Sequence, residues 1–360
     1  MIQINLLGYD FENKLRDGID RYSYELYINL LKIKSKKDKI NTFSYSNLYS
    51  KFNIIPNSIS SQFIETFIIN FYFNNKLTGN IVHLMSPDKK MPITKAVKLI
   101  TWHDTMGFKR RLELAANFKE KLKAKIKKSW AIHNWNTMDF GLYNSSLTKR
   151  EVELYMLDLD LQQRPGAVIN FGLNNKFIKK QIYKQERKDF VYVGSIEQEH
   201  KNLDALIQSI INIRNIIKEA KLYIYSNTSL EKLRINNKFF YKGIREKYII
   251  YNAKKTDDEI INKLSKSIAL LHLSKKEGFG FPILESIAIG TPVIVLKESE
   301  IPEETKKYAI KTNFESIPNI ALKLYNHQKP VSQEAIKYAK SFTWEKTAMK
   351  TYELYKKLSE

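Results

Sequence analysis

Two glutamates with seven residues between them, Glu277 and Glu285, enclose the run Gly278-Phe279-Gly280-Phe281-Pro282. The glycines allow a positive φ or close backbone approach to a ligand, and Pro282 suits the first turn of a helix. The apolar run 268–273 ahead of them has no helical period, which predicts a strand buried on both faces. Behind them, Leu284, Ile287 and Ala288 share one helix face with Glu285 on the other side, and Gly290 is the expected stop. A second buried strand is expected over 292–296. A strand, a glycine loop and a helix start in this order present unpaired N–H groups and a positive dipole end at the carboxyl edge of a sheet, where anions bind. Carboxylates repel a phosphate but accept strong hydrogen bonds from sugar hydroxyls. Anion donors beside hydroxyl acceptors point to a sugar nucleotide.

Glu277-Gly278-Phe279-Gly280-Phe281-Pro282, followed by Glu285 and then Gly290-Thr291-Pro292-Val293, resembles the signature of retaining GT-B glycosyltransferases of family 4, the glycosyl transferases group 1. By that resemblance Glu277 lies beside the transferred sugar, Glu285 binds the nucleotide ribose, and Gly278, Phe279, Gly280 and Phe281 form part of the donor loop. The resemblance also implies a UDP- or GDP-linked sugar as donor substrate, no cofactor and no metal. The acceptor is a hydroxyl of a glycan, a lipid-linked sugar or a small molecule, attacking from the leaving-group face. No paired-His or Asp-x-Asp spacing suggests metal ligands in these segments.

The elements that must position this segment alternate along the chain. Residues 2–7 predict a first strand, and Ile19, Tyr22, Leu26 and Leu30 recur at helical spacing after it, with Asp17 placed to cap that helix. Gly18 therefore sits at a helix start and resembles the family's first glycine loop, although Asp20 replaces a second glycine there. Strands are expected at 41–45, 81–84 and 98–102, the last ending in His103-Asp104. His103 could hydrogen-bond the acceptor or the departing sugar, and relatives carry His-Asp at this place. Aromatics crowd 63–73 and are expected to be core. The basic stretch 109–135 has a helical pattern with Leu112, Leu114, Phe118, Leu122 and Ile126. Such a face could rest on anionic lipid head groups or pack on its own domain.

After a strand at 139–143, Ser145 and Ser146 begin a helix in which Thr148 and Glu151 have capping-box spacing. A strand-like run at 168–170 leads to Gly172-Leu173-Asn174-Asn175, which resembles the interdomain linker. Alternation restarts with a strand at 190–193, Gly194, and a helix carrying Leu203, Leu206, Ile207, Ile210 and Ile211. By resemblance, residues 194–202 are the second phosphate loop. Ser195 stands where relatives often carry arginine, so Lys201 bears more of the diphosphate charge, against Glu197 and Glu199. Further strands are expected at 221–225 and 248–252, with a helix capped near Thr256. The end, from Ser341-Phe342-Thr343-Trp344, resembles the closing helix that crosses back to the first domain.

Two alternating blocks predict an α/β chain of two Rossmann-like domains, and the resemblance adds a GT-B arrangement of the two facing each other across a cleft. The expected division is 1–172, 173–340 and a closing helix at 341–360. Sixty Lys and Arg against 38 Asp and Glu give a net charge of +22, which favours anionic partners without choosing among phosphate, acidic lipid and nucleic acid. Nucleic acid is not expected, because no recognised binding module appears. The absence of cysteine excludes disulfides and thiolate chemistry. No apolar run approaches membrane-spanning length and no signal core leads the chain, so the expected location is cytoplasmic, with peripheral contact at the inner face of the membrane left open. Two other classes fit parts of the pattern. A GT-B enzyme of another reaction, such as a sugar-nucleotide epimerase or a phosphorylase, fits the fold, and a basic nucleic-acid-binding protein fits the charge.

Overall fold

A parallel strand returns to the same edge of its sheet only through a long crossover, and short apolar runs separated by amphipathic segments supply such crossovers throughout this chain. A computed structural model describes all residues except 9–10, 12–17, 46–72, 74–75, 107–117, 183–185 and 254. The chain divides into two compact units, 1–172 with 344–360, and 173–343.

Unit 1 contains β1 (Gln3–Gly8), β2 (Lys39–Ser44), β3 (Ile81–Leu84), β4 (Val97–Trp102), β5 (Phe140–Tyr143) and β6 (Gly166–Val168). They form one parallel sheet in the order β2-β1-β3-β4-β5-β6. Unit 2 contains β7 (Phe190–Val193), β8 (Leu222–Ser226), β9 (Ile249–Ala253), β10 (Ala269–Leu271), β11 (Val293–Leu296) and β12 (Ile310–Thr312). Its parallel order is β12-β11-β10-β7-β8-β9. The expected α/β class with two doubly wound sheets is therefore present. In each sheet the strand order reverses once, between β1 and β3 and between β7 and β10. Connections leave such a point in opposite directions, so a crevice opens at the carboxyl ends of the two strands.

The helix Gly18–Ile33 buries Tyr22, Leu26 and Leu30, one turn apart, against unit 1. The helix Trp344–Ser359 belongs to the same unit, burying Trp344, Ala348, Tyr352 and Tyr355. A polar chain joins that helix to the sheet. His83 Nδ1 meets the Tyr355 hydroxyl, His83 Nε2 lies 2.8 Å from Thr101 Oγ1, and Thr101 Oγ1 lies 2.8 Å from the Tyr22 hydroxyl. The second core gathers Leu206, Ile207, Ile210 and Ile213 of the helix Leu203–Ile216 beneath β7, β8 and β10.

Several expectations change in three dimensions. The cap of the helix Ser146–Leu157 is Ser145, whose Oγ accepts from the Thr148 N–H at 3.0 Å. Thr148 is thus inside the helix and is not the capping residue of a Thr148/Glu151 box; its hydroxyl donates to the His103 carbonyl at 3.3 Å. In the basic helix Phe118–Thr137 the packed stripe is Ala124, Trp130, Ala131 and Trp135, whereas Phe118 is 82% exposed. Trp135 meets Trp102 edge to face, and Lys127 pairs with Asp88 at 3.0 Å, so this helix packs on its own unit. Asn174 caps a short helix, Asn175–Lys179, where a plain loop was expected. The capping role of Asp17, the aromatics at 63–72 and the part of the basic segment at 109–117 lie outside the described residues.

Burial first, and the charge of His103 second, push the His83 imidazole down to about 3 from 6.5. Its folded value lies below its unfolded one, so the stability it contributes is complete above about pH 6.5 and is lost as pH falls toward about 3. Tyr355→Phe removes the hydroxyl from His83 Nδ1 and should cost about 1–3 kcal/mol. A lower melting temperature by calorimetry at neutral pH is the expected outcome; an unchanged one would show that the hydroxyl is dispensable.

Candidate functional site

The carboxyl ends of β7 and β10, neighbours at the reversal in unit 2, each continue into a loop and then a helix. After β7 come Gly194, at φ 144°, and a short turn, Glu199–Lys201, that delivers Lys201. After β10 come His272 and, five residues on, Glu277. The two loops are laced together: the Lys275 N–H donates to the His200 carbonyl at 2.7 Å, and Asn202 Nδ2 donates to the Leu273 carbonyl at 3.1 Å. A third loop holds Glu277 from the other side, its N–H donating to the Glu300 carbonyl at 3.0 Å.

These ties bring a cation onto a buried carboxylate. Lys201 Nζ lies 2.9 Å from both Oε1 and Oε2 of Glu277, and His272 Nε2 lies 3.0 Å from Oε1. Glu277 is 8% exposed and His272 2%. Burial by itself would raise the Glu277 carboxyl, but the Lys201 charge and the His272 hydrogen bond outweigh it and hold it well below the usual carboxylate range. Glu277 is therefore an ionised acceptor in a site of low water content.

Both helices that start here lack a side-chain cap. Asn202, in the left-handed region, precedes Leu203–Ile216, and Gly280, at φ 88°, precedes Phe281–Ala288 with Pro282 in its first turn. Elsewhere Ser145, Asn174, Asn237, Thr256 and Ser332 cap their helices with side-chain oxygens, whereas the helices after Pro302 and Ser316 also start without one. A Cβ on Gly280 would stand a tight 3.2 Å from Thr305 Cγ2, and the positive φ is what favours glycine here. Two helix N-termini thus flank one carboxylate–cation pair, an arrangement suited to a ligand with both anionic and hydroxyl groups.

Of the residues singled out from the sequence, Gly194, Ser195, Lys201, Glu277, Gly278, Phe279, Gly280, Phe281 and Glu285 lie in unit 2, and Gly18 and His103 in unit 1. Lys201 and Glu277 are in direct contact, which their separate expected roles did not require. Glu285 is buried at 6% within a helix whose inner residues are all buried, so the polar face expected for it is absent. The Ser195 carbonyl accepts from the Tyr192 hydroxyl at 2.7 Å. The troublesome charges of the loop are engaged elsewhere: Glu197 accepts from Thr228 at 3.1 Å, and Glu199 lies 4.0 Å from Lys275. Gly18 opens its helix, and Asp20 beside it is buried at 5%. His103 is 9% exposed, its Nε2 donates to the Met85 carbonyl at 2.7 Å, and its ring packs edge-on against Tyr22. Sequence reasoning missed His272. Its only signal was a lone imidazole in the run Leu270-Leu271-His272-Leu273, five residues before a glutamate.

Among the described residues no group of three His, Cys, Asp or Glu could hold a metal ion, and no helix is long and apolar enough to cross a membrane.

The doubly wound units have the fold of GT-B glycosyltransferases. The structure of sucrose-phosphate synthase from Thermosynechococcus elongatus is similar over 99% of both chains, with a TM-score of 0.70 at 13% identity. An Escherichia coli structure described as trehalose-6-phosphate bound with UDP-2-fluoro glucose is similar over 99% of both chains, with a TM-score of 0.64 at 9% identity. Residues 174–342 match the family Glycosyl transferases group 1. An uncharacterized glycosyltransferase of Methanocaldococcus jannaschii is 27% identical over 216 residues, covering 57% of each protein. The matched stretch thus spans little more than half the length of that relative.

Lys201→Met would leave Glu277 buried without its cation. Breaking one side of such a pair costs about 3–5 kcal/mol. The double substitution Lys201→Met with Glu277→Gln should recover much of the loss, as read from denaturant unfolding of all four proteins; strict additivity would mean that the pair contributes nothing.

Proposed function

We propose that the protein transfers a hexose from a nucleotide-diphosphate sugar to a hydroxyl acceptor with retention of configuration, and that it does so without a metal. The observation that carries this reading is the buried, ionised Glu277 held against Lys201 at the reversal of a doubly wound sheet, between two helix starts without side-chain caps. Glu277 is assigned to the hydroxyls of the transferred sugar and Glu285 to the ribose. Lys201, with the amides after Gly194 and at Gly278 to Phe281, is assigned to the diphosphate. The matched family and the UDP-sugar bound to one structural neighbour support a nucleotide-linked donor.

The reaction breaks the bond between the sugar C1 and the diphosphate oxygen while the acceptor oxygen forms the new bond on the same face. The acceptor proton passes to the departing diphosphate, so no side chain is assigned as nucleophile. Positive charge and aligned N–H groups stabilise the leaving group as its charge grows, and Glu277 stabilises positive charge developing on the sugar. Gly18 and His103 are assigned to donor and acceptor from unit 1. The acceptor is a glycan, a lipid-linked sugar or a small molecule carrying a free hydroxyl.

Two outcomes test this. UDP or GDP should raise the melting temperature in the presence of EDTA, because basic groups and helix ends hold the phosphates; strict dependence on an added divalent ion would overturn metal independence. Glu277→Ala should lower kcat by about ten- to a hundredfold, the equivalent of one charged hydrogen bond, with nucleotide affinity nearly intact. Glu285→Ala should instead raise the donor KM and weaken binding of the free nucleotide. Product analysis and calorimetry distinguish the two patterns, and a Glu277 variant defective mainly in nucleotide affinity would remove it from the sugar side.

A further inference from the structure

A single lysine is given two tasks at this site. Lys201 Nζ is within 2.9 Å of both carboxylate oxygens of Glu277, yet it is also the side-chain cation best placed in the loop after Gly194 to meet a diphosphate. An ammonium has three donors on a flexible stem, and a diphosphate carries more charge than a carboxylate, so a bound diphosphate draws Lys201 away from at least one Glu277 oxygen. Glu277 would then be a buried carboxylate with fewer partners and more rotamer freedom at the moment its direction matters. His272 is the group that does not have to move. It follows β10 directly, its N–H donates to the Ile294 carbonyl at 2.9 Å, and its ring lies nearly parallel to that of Tyr192, with an 18° angle and centroids 6.4 Å apart. Tyr192 is itself tied through its hydroxyl to the Ser195 carbonyl at 2.7 Å.

We infer that His272 is a positioning residue: its Nε2–H holds Oε1 of Glu277 in place while Lys201 is shared with the diphosphate of the donor. This rests on the assignment of Glu277 to the transferred sugar. The ring acts as a fixed donor and not as a proton carrier. Nε2 must carry the proton to meet an ionised carboxylate, and Nδ1 is buried with no hydrogen-bond partner among the described residues.

The experiment compares His272→Leu and His272→Gln with the parent, all as full-length chains, using UDP-glucose, UDP-N-acetylglucosamine and GDP-mannose as donors. Gln keeps an N–H donor at about the reach of Nε2, and Leu has none. His272→Leu should lower kcat by about tenfold to a hundredfold, with donor KM and calorimetric UDP and GDP affinity little changed, and Gln should recover most of the loss. A purely structural role would lower the melting temperature and would not sort variants by their N–H. The inference is overturned if Leu matches the parent kcat, if the defect lies in KM, or if Gln does no better than Leu. Nitrogen-15 NMR of the histidines gives a readout independent of turnover. The His272 signals should report a protonated Nε2 and bare Nδ1 both without nucleotide and with saturating UDP or GDP, and an Nδ1–H tautomer would overturn the inference whatever the substrate. If the parent turns over none of the three donors, the functional assignment is what fails, and the tautomer still decides the His272 contact.

Discussion

A carboxylate removed from water at the end of a parallel strand costs several kcal/mol unless charge and hydrogen bonds meet it, and the second unit is arranged so that they do. Glu277 receives Lys201 on both oxygens and His272 on one. None of the three is adjacent in sequence to another. Their meeting depends on β10 lying beside β7 and on the loops beyond both strands being laced by the bonds from Lys275 to His200 and from Asn202 to Leu273. Disturbing the strand order or the lacing would leave a buried charge unpaired, so the sheet topology and the charge cluster depend on each other.

The same arrangement sets one cation apart in a strongly basic chain. A net charge of +22 spread over the surface attracts anions in general, at a strength that salt screens. Lys201, with its side chain 16% exposed, is shielded from that screening and is aimed by its partner. Two helix starts without side-chain caps add fixed dipoles beside it. The electrostatics at Lys201 are thus local and geometric, whereas the net charge is a property of the whole chain.

The two units share the doubly wound plan but use their buried polar groups differently. In unit 1, His83, Thr101, Tyr22 and Tyr355 satisfy one another in a chain that fastens the helix Trp344–Ser359 to the sheet. His103 continues that packing, edge-on to Tyr22 and bonded to the Met85 carbonyl. In unit 2 the loops beyond β7 and β10 instead bring together a charged pair, Lys201 and Glu277. The contrast is one of chemistry on a shared backbone plan.

Local regularities were legible in the chain. The apolar runs at 81–84 and 190–193 are strands with those bounds, Pro282 does lie in the first turn of a helix, and the helix expected to be capped near Thr256 is capped by that residue. Each depends on residues a few positions apart, so periodicity and capping chemistry suffice. The α/β class followed from their alternation. Contacts across long separations were not legible: Lys201 and Glu277 are 76 residues apart, and His83 and Tyr355 are 272 apart. The burial of Glu285, the exposure of Phe118 and the contact of His272 with Glu277 were decided in the same way. Local patterning determines which elements form, whereas strand order and loop lacing determine which side chains from distant elements share one low-dielectric space, and there the cost of an unpaired charge selects the partners.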